Sequence, residues 1–344
     1  MTSRLSPLAA FAAAVIACAP AVAEERDLTV MEPVPQGYKA GLTSWGEPDL
    51  RGGWPIDHLN GRTPLQRDVQ YGNRAYLTDE EFAQRDEQVQ QLARRYENEE
   101  ETGTMGIGHW AEVAAANRRT SWITSPANGR LPAYTAEGQR LSDAMRSTWQ
   151  TGQPFDWVTD FDSWDRCITR GLPASMFPFM YNNGMRIFQS PGIVALQMEM
   201  VHETRIIPTD GRPGIPAAIG NWMGESRGHW ENGNTLVVET ANFRPGPSAT
   251  NIGTTGSPPQ NDTPVSDQAH MVERFTMTGP DTIIYEFTWT DPVVFAQPWS
   301  ARLEWQRDDD FGIFEYACHE GNVQVRNYIN ASRAERAQAA AARQ

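Results

Sequence analysis

The stretch that decides the fold runs from Gly192 to Phe243 and reads GIVALQMEMVHETRIIPTDGRPGIPAAIGNWMGESRGHWENGNTLVVETANF. In its first half, apolar residues alternate with polar ones, and a period of two is typical of a strand. The apolar face runs from Val194 to His202, and the polar face runs from Gln197 to Arg205. The sequence therefore predicts one strand with a histidine at the end of its buried face.

The second half of the stretch predicts a hairpin. Asn232-Gly233 is typical of a two-residue type I′ turn, because both central positions of that turn need a positive φ. With these two residues as the loop, Glu231 lies opposite Asn234. Arg227 and His229 then share the strand face of Glu231, so an imidazole lies between a guanidinium and a carboxylate.

Further strands are predicted towards the C-terminus. Ile283–Trp289 and Ala301–Trp305 alternate with strand periodicity, and Phe314–Glu320 reads as another strand. Short strands separated by turns indicate an antiparallel sheet that forms a barrel or a sandwich. Gly52-Gly53-Trp54 matches the G-x-W that opens lipocalin barrels, so a calycin-like barrel is one form this mainly β fold can take.

A few peripheral helices are expected beside the β core. Thr78 and Glu81 form a capping box, and apolar residues follow at helical spacing. A second helix is predicted from Thr135 to about Trp149. Together these helices form a helical insertion at about residues 78–150.

The N-terminus has the pattern of a signal peptide, residues 1–23. Arg4 supplies the positive charge, residues 8–17 the apolar core, and Ala21-Val22-Ala23 a cleavage site of small residues. We therefore expect a periplasmic or secreted protein. The mature chain is predicted to be a single β-rich domain over residues 24–330, followed by a C-terminal tail at 331–344.

The acidic composition limits the partners. The 344 residues carry a formal charge of −14, and loss of Arg4 with the leader makes the mature chain about −15. Such an excess disfavours nucleic acid and anionic membrane surfaces. We therefore expect a small-molecule substrate or ligand, no nucleic acid, and no membrane contact after signal cleavage.

Three cysteines bear on export. Cys18 lies in a stretch that loosely fits a lipoprotein cleavage box, which is the alternative to a soluble exported protein. Cys167 and Cys318 remain after cleavage at Ala23. In an oxidising periplasm they are candidates for one disulfide, the alternative being two unpaired thiols.

Polar clusters on these predicted strands are candidates for a functional site. The candidate catalytic residues are His202, Glu203, Arg205, His229 and His319. The candidate substrate-binding residues are Arg227, Trp230, Glu231 and Glu320. None of the clusters has the H-E-x-x-H spacing of a zinc site, so we expect neither a metal nor a cofactor. The twelve tryptophans favour either an aromatic-lined cleft for sugars or ring compounds, or simply a large core.

Three motifs together resemble one protein family. They are S-x-I-x-x-P-x-x-G-R-x-P at Ser121–Pro132, G-x-S-x-G-H-W-E at Gly224–Glu231, and E-Y-x-C-H-E-G-N at Glu315–Asn322. The chain resembles a family of exported, largely uncharacterised bacterial proteins over most of its mature length. The resemblance implies export and a β-rich fold, and it supplies no catalytic residues.

The interpretation that these patterns favour is an exported enzyme with metal-free acid–base chemistry, a lyase, isomerase or hydrolase. Its substrate would be a small aromatic or carbohydrate-derived compound, and it needs one histidine or carboxylate beside a cation such as Arg205. We expect His229 to share one cavity with His202, Glu203, Arg205 or His319. The alternatives are a barrel-type binding protein without catalysis and a serine hydrolase using Ser226 of the G-x-S-x-G motif, although no helix is predicted after that serine.

Overall fold

A computed structural model describes residues 27–109, 111–145, 152–245 and 263–343. The predicted signal peptide lies outside these residues. The strands are β1 (Gly52–Gly53), β2 (Ile123–Ser125), β3 (Met185–Ser190), β4 (Ile193–Met198), β5 (Thr204–Pro208), β6 (Glu225–Glu231), β7 (Thr235–Ala241), β8 (His270–Gly279), β9 (Thr282–Thr290) and β10 (Trp299–Gln306). The α-helices are α1 (Asp79–Thr102), α2 (Ala136–Ala144) and α3 (Gln324–Ala341).

The strands form two antiparallel sheets. The smaller sheet has the order β1-β3-β4-β5, and the larger has the order β2-β10-β9-β8-β7-β6. Most neighbours in the larger sheet are consecutive in the chain, which is typical of strands joined by short hairpins. The prediction of a mainly β fold with antiparallel sheets is therefore confirmed.

One hydrophobic core lies between the sheets and takes side chains from both. The predicted apolar face of β9, from Ile283 to Trp289, is buried as the alternation requires. Each such large side chain stabilises the fold by roughly 1.5–3 kcal/mol when fully buried. Among the described residues five tryptophans are fully buried, which favours the core interpretation for these: Trp54, Trp122, Trp289, Trp299 and Trp305.

The two sheets approach each other along both edges, beside β1 and between β5 and β6. At neither edge do the described residues form a continuous hydrogen-bonded ladder. At β1, the Gly53 carbonyl accepts a hydrogen bond from Asp308 N, and Gly53 N donates to Asp309 Oδ1. A Cβ on Gly53 would lie 2.2 Å from the Asp308 carbonyl oxygen, so only glycine allows this approach. At the other end, Gly228 of β6 packs against Ile207 of β5.

The strand predicted from Val194 to Arg205 is a hairpin instead. β4 buries alternate residues as predicted but ends at Met198. The Glu199 carboxylate accepts hydrogen bonds from Asn182 Nδ2 and Gly184 N, which favours a turn at this point. Positive φ values at the next residues complete the turn, and β5 then begins. The hydrogen bonds of the buried Glu199 side chain therefore favour the end of the strand, although the apolar–polar alternation of the sequence continues.

The hairpin after β6 keeps its predicted turn residues but not its predicted register. Asn232 and Gly233 both have positive φ, as expected. However, Glu231 pairs with Thr235 rather than Asn234, so the loop contains three residues. Asn234 is held by β8, because its side chain donates to the Met277 carbonyl oxygen and its own carbonyl accepts from Met277 N. These contacts with the neighbouring strand set the register.

The segment from Phe314 to Glu320 was predicted as a strand and is a loop that ends in a turn. A disulfide between Cys167 and Cys318, with Cα atoms 5.6 Å apart, anchors it to a loop 151 residues earlier. The predicted cysteine pairing is confirmed. The covalent anchor shapes this segment, which has no strand partner among the described residues.

The helices start where the sequence predicts. Thr78 accepts from Glu81 N and the Glu81 side chain accepts from Thr78 N, which completes the capping box of α1. Arg74 donates to Glu81 and lowers the pKa of that carboxyl to about 2. α2 ends at Ala144, and residues 146–150 of its predicted extent lie outside the described part. The helical insertion also contributes β2, and no described helix is long and apolar enough to cross a membrane.

Candidate functional site

Arg205 lies between the two sheets in a buried polar cluster. Its guanidinium donates to both carboxylate oxygens of Glu273, at 2.8 and 2.5 Å. It also donates to Ser226 Oγ at 3.1 Å and Thr240 Oγ1 at 3.3 Å. Burial opposes the charge of Arg205, but attraction and hydrogen bonding from Glu273 outweigh it and raise the pKa of Arg205. The Tyr285 hydroxyl donates to Glu273 as well, so this cluster links the sheets as a structural ion pair.

Ser226 does not occupy a nucleophile elbow. It lies inside β6, which continues to Glu231, whereas the elbow needs a sharp turn into a helix. Its Oγ is bonded to Arg205 and Thr240, and none of its hydrogen bonds in the described structure comes from an imidazole. Arg227, its neighbour, pairs with Glu225. Together, Arg205, Ser226 and Arg227 line a small opening of about 290 Å³ between β5 and β6.

His202 contacts the disulfide-bonded loop that also carries His319 and Glu320. The Tyr316 amide donates to Nε2 of His202 at 3.1 Å, so this ring nitrogen carries no proton. His319 and Glu320 follow Cys318 in the same loop and are exposed. This contact brings His202 to the loop of a second predicted cluster, but no hydrogen bond among the described residues joins the side chains of the two clusters.

Glu203 is more buried than its neighbours. Burial raises the pKa of its carboxyl, while a hydrogen bond from Thr169 and the charge of Arg205 act in the opposite direction. The residue belongs to the edge of the buried cluster of Arg205 and not to an open cavity described here.

His229 and Glu231 lie on the outer face of β6. His229 Nε2 is 3.2 Å from Glu231 Oε1, and the other oxygen of Glu231 pairs with Arg274 at 2.7 Å. His229 is 53% exposed, and Trp230 packs against the core from the opposite face. The hydrogen bonds of His229 in the described structure do not reach His202, Glu203, Arg205 or His319. Strand alternation explains this, because Ser226 points inward and His229 points outward.

A larger cavity lies elsewhere, over the ends of β9 and β10. It has a volume of about 750 Å³ and is lined in part by residues 31–35, which we call the strap. Arg302 Nη1 holds the strap by donating to the Glu32 carbonyl oxygen at 2.7 Å. We call this space the strap cavity. Its volume is in the range of small-molecule sites in proteins.

Arg119 lines the strap cavity as a cation without a carboxylate partner among the described residues. Its guanidinium donates to the Ser121 carbonyl oxygen at 2.9 Å and, more weakly, to those of Trp122 and Arg302. Burial lowers the pKa of Arg119 to about 10, which still leaves it charged at neutral pH. A charged group in this position favours an anion in the cavity.

His58 lines the same cavity and has a fixed tautomer. Its Nε2 lies 3.0 Å from the Glu304 carbonyl oxygen, which can only accept a hydrogen bond. Nε2 therefore carries the proton, and Nδ1 of the neutral ring has the lone pair that a general base needs. Asp57 and Glu304 also line the cavity.

A second buried arginine fixes the segment that carries Arg119. Arg85 of α1 donates from Nη1 to the carbonyl oxygens of Asn117 and Arg119, at 2.8 and 2.5 Å. Burial lowers the pKa of Arg85. Side-chain bonds to backbone carbonyls make residues 117–119 rigid although they form no helix or strand.

The sequence interpretation did not single out His58 or Arg119. His58 stands alone in a short apolar stretch, and Arg119 follows another arginine in a segment without periodicity. The one available signal was the location of Arg119 directly before the Ser121–Pro132 motif. The strap, His58 and Arg119 meet only through tertiary contacts.

Among the residues that the structure describes, no group of three or more His, Cys, Asp or Glu side chains is placed to hold a metal ion. Comparison of the chain with protein-family models, with curated proteins and with solved structures finds no match.

Proposed function

We propose that the protein is an exported enzyme that carries out metal-free acid–base chemistry on a small anionic substrate in the strap cavity. The substrate class is an aromatic or carbohydrate-derived acid. The observation that carries the proposal is the presence of His58 and Arg119 in one cavity of about 750 Å³. Lyase, isomerase and hydrolase reactions all use this pair of roles.

Arg119 has the role of holding the anion. No described carboxylate neutralises it, so an anionic group of the substrate would supply the missing counter-charge. Hydrogen bonds between charged groups contribute about 1.5–3 kcal/mol each. Apolar walls from Leu59 and Trp122 suit a ring beside that charge.

His58 has the role of transferring the proton. The Glu304 carbonyl fixes the proton on Nε2, so Nδ1 is ready to accept one from the substrate. General acid–base catalysis by a positioned histidine typically contributes about 10²–10⁴-fold to the rate. We therefore propose His58 as the proton-transfer residue in preference to His202, His229 and His319, because those three histidines are exposed at the protein surface.

The test is a turnover assay with a library of aromatic and sugar acids. We expect His58→Gln to abolish turnover and to leave substrate binding within about twofold, because it removes only the proton acceptor. Arg119→Met should weaken binding about tenfold or more. His319→Gln is the matched control, since that histidine is exposed on the disulfide-bonded loop, and it should behave as wild type.

A second candidate function is binding of the same acids without turnover. The charge of Arg119 and the apolar walls of the strap cavity support binding of these acids whether or not His58 transfers a proton. Stoichiometric binding that depends on Arg119, with no product formed by the wild type, would establish this alternative. Binding that does not depend on Arg119 would contradict both.

We also propose that the chain belongs to the family that its three motifs resemble. The disulfide supports export, because such bonds persist in oxidising compartments. The contacts at Gly53 and Gly228 support a further proposal, that the two sheets are the halves of an open, calycin-like barrel or sandwich.

A further inference from the structure

A second cavity lies beside the disulfide, far along the chain from the strap. It encloses about 380 Å³ and is lined by both cysteines and by parts of the loops that they join. We call it the disulfide cavity. Asn322 holds its rim, because its side chain donates to the Asp165 carbonyl oxygen at 3.1 Å and approaches Cys167 Sγ at 3.2 Å. The loops around the cavity are thus held together by the disulfide and by hydrogen bonds.

Its walls combine aromatic rings with hydrogen-bonding groups. The aromatic lining residues are Trp164, Tyr181 and Tyr316. The polar lining residues are Asp165, Glu320, Asn322 and Gln324. The described lining contains no lysine, arginine or histidine, so the carboxylates give it a negative character that disfavours anions.

The arginine that lies behind the Trp164 ring disfavours an organic cation in the disulfide cavity. The guanidinium of Arg170 lies 5.2 Å from the centre of the Trp164 ring and 4.9 Å from that of Phe179. The Trp164 ring, which lines the cavity, therefore already has a buried positive charge over one face. Burial raises the pKa of Tyr181 to about 12, so the Tyr181 hydroxyl remains neutral; it shares a hydrogen bond with the Tyr316 side chain and can make a further one.

We propose that the disulfide cavity binds a neutral, polyhydroxylated ring of the size of one sugar unit. The carboxylate of Glu320 accepts hydrogen bonds from ring hydroxyls, and the tyrosine rings cover its apolar face. This site is separate from the strap cavity and does not rest on the acid–base chemistry proposed there. We expect weak affinity, on the order of millimolar, because an open cavity leaves much of a bound sugar in contact with solvent.

The experiment titrates the oxidised, full-length mature protein with glucose and with N-acetylglucosamine, observed by saturation-transfer NMR. We expect saturable binding of at least one sugar. Glu320→Gln should weaken it about tenfold, because an amide is a poorer acceptor for hydroxyls than a carboxylate. Glu315→Gln is the matched control, since Glu315 is exposed in the same loop outside the cavity lining.

Three outcomes would overturn the proposal. They are no saturable sugar binding up to tens of millimolar, equal affinity of Glu320→Gln and wild type, and preference for tetramethylammonium over both sugars. If Glu320→Gln misfolds by circular dichroism, Tyr316→Leu replaces it and should also lose affinity. His58→Gln must leave sugar binding unchanged, so failure at this site and failure in the strap cavity are distinguishable.

Discussion

The guanidinium groups of Arg205 and Arg119 both lie inside the protein, but different groups stabilise their positive charges. Arg205 has the carboxylate of Glu273 at hydrogen-bonding distance. Arg119 has backbone carbonyls and the edge of a cavity. The pair of Arg205 and Glu273 needs no further counter-charge and favours stability, while Arg119 leaves room for the anion that we propose as the substrate. This difference is the reason for placing the substrate at Arg119.

Removal of the partner of Arg205 should destabilise the fold strongly. We expect Glu273→Gln to lower the free energy of unfolding by about 3–5 kcal/mol, because it leaves a buried cation without a counter-charge. Urea denaturation followed by tryptophan fluorescence measures the loss. The double variant Arg205→Met, Glu273→Leu should lose less than Glu273→Gln alone. An equal or larger loss in the double variant would contradict an uncompensated charge as the cause.

Glu203 should make stability depend on pH. Its pKa is raised by burial, so the folded state disfavours the ionised carboxyl. Stability from this group is complete below the ordinary carboxyl pKa and is lost as pH rises through the folded pKa. We expect Glu203→Gln to be more stable than wild type by on the order of 1 kcal/mol at about pH 8, and equal at about pH 3.5. A gain of the same size at both pH values would show that packing, rather than titration, is responsible.

At the scale of elements, the β6–β7 hairpin depends on its loop conformation. Gly233 has φ of +73°, and a Cβ there would meet only the flexible end of Lys39 at 3.8 Å. Gly233→Ala should therefore cost about 1–2 kcal/mol through backbone strain alone. Gly312→Ala is the control, because it has open space and no positive φ. Equal thermal midpoints for the two variants would contradict the loop conformation described here.

The elements show which features a sequence can predict. The apolar faces of β4 and β9 follow from periodicity, and the start of α1 follows from its capping box, since both depend on residues close in the chain. The turn after Met198 depends on Glu199 reaching Asn182, and the hairpin register depends on Asn234 reaching β8. Because these contacts join segments that are distant in the chain, the local sequence pattern predicted one continuous strand and a hairpin register that was wrong by one residue.

The candidate site was harder still to predict, because it is a property of the whole molecule. The strap cavity joins residues 31–35, His58, Arg119 and the end of β10, and the contact between Glu32 and Arg302 alone spans 270 positions in the chain. The predicted residues around His202 and His229 were chosen for their chemistry, and strand alternation and a turn direct them to different surfaces. Among contacts between residues so far apart in the chain, only the disulfide could be inferred from the sequence. The two cysteines that remain after the predicted signal cleavage can pair only with each other.

The disulfide should be essential for global stability. The loop it closes spans 151 residues, for which the chain-entropy relation gives about 5 kcal/mol. We expect Cys167→Ser to lower the free energy of unfolding by up to that amount and wild-type protein denatured without reductant to show no free thiol. A double serine variant is the control for the free Cys318 thiol. Two titratable thiols in unreduced protein would contradict the bond.

The same bond changes what a single cut of the backbone can do. Any peptide bond hydrolysed between Cys167 and Cys318 leaves two pieces that are still one covalent molecule. The first piece carries the strap, His58 and Arg119, and β10 with Glu304 lies on whichever side of the cut the protease leaves it. A nicked molecule therefore migrates as one band without reductant and as two with it, and it retains every part of the strap cavity in a single particle.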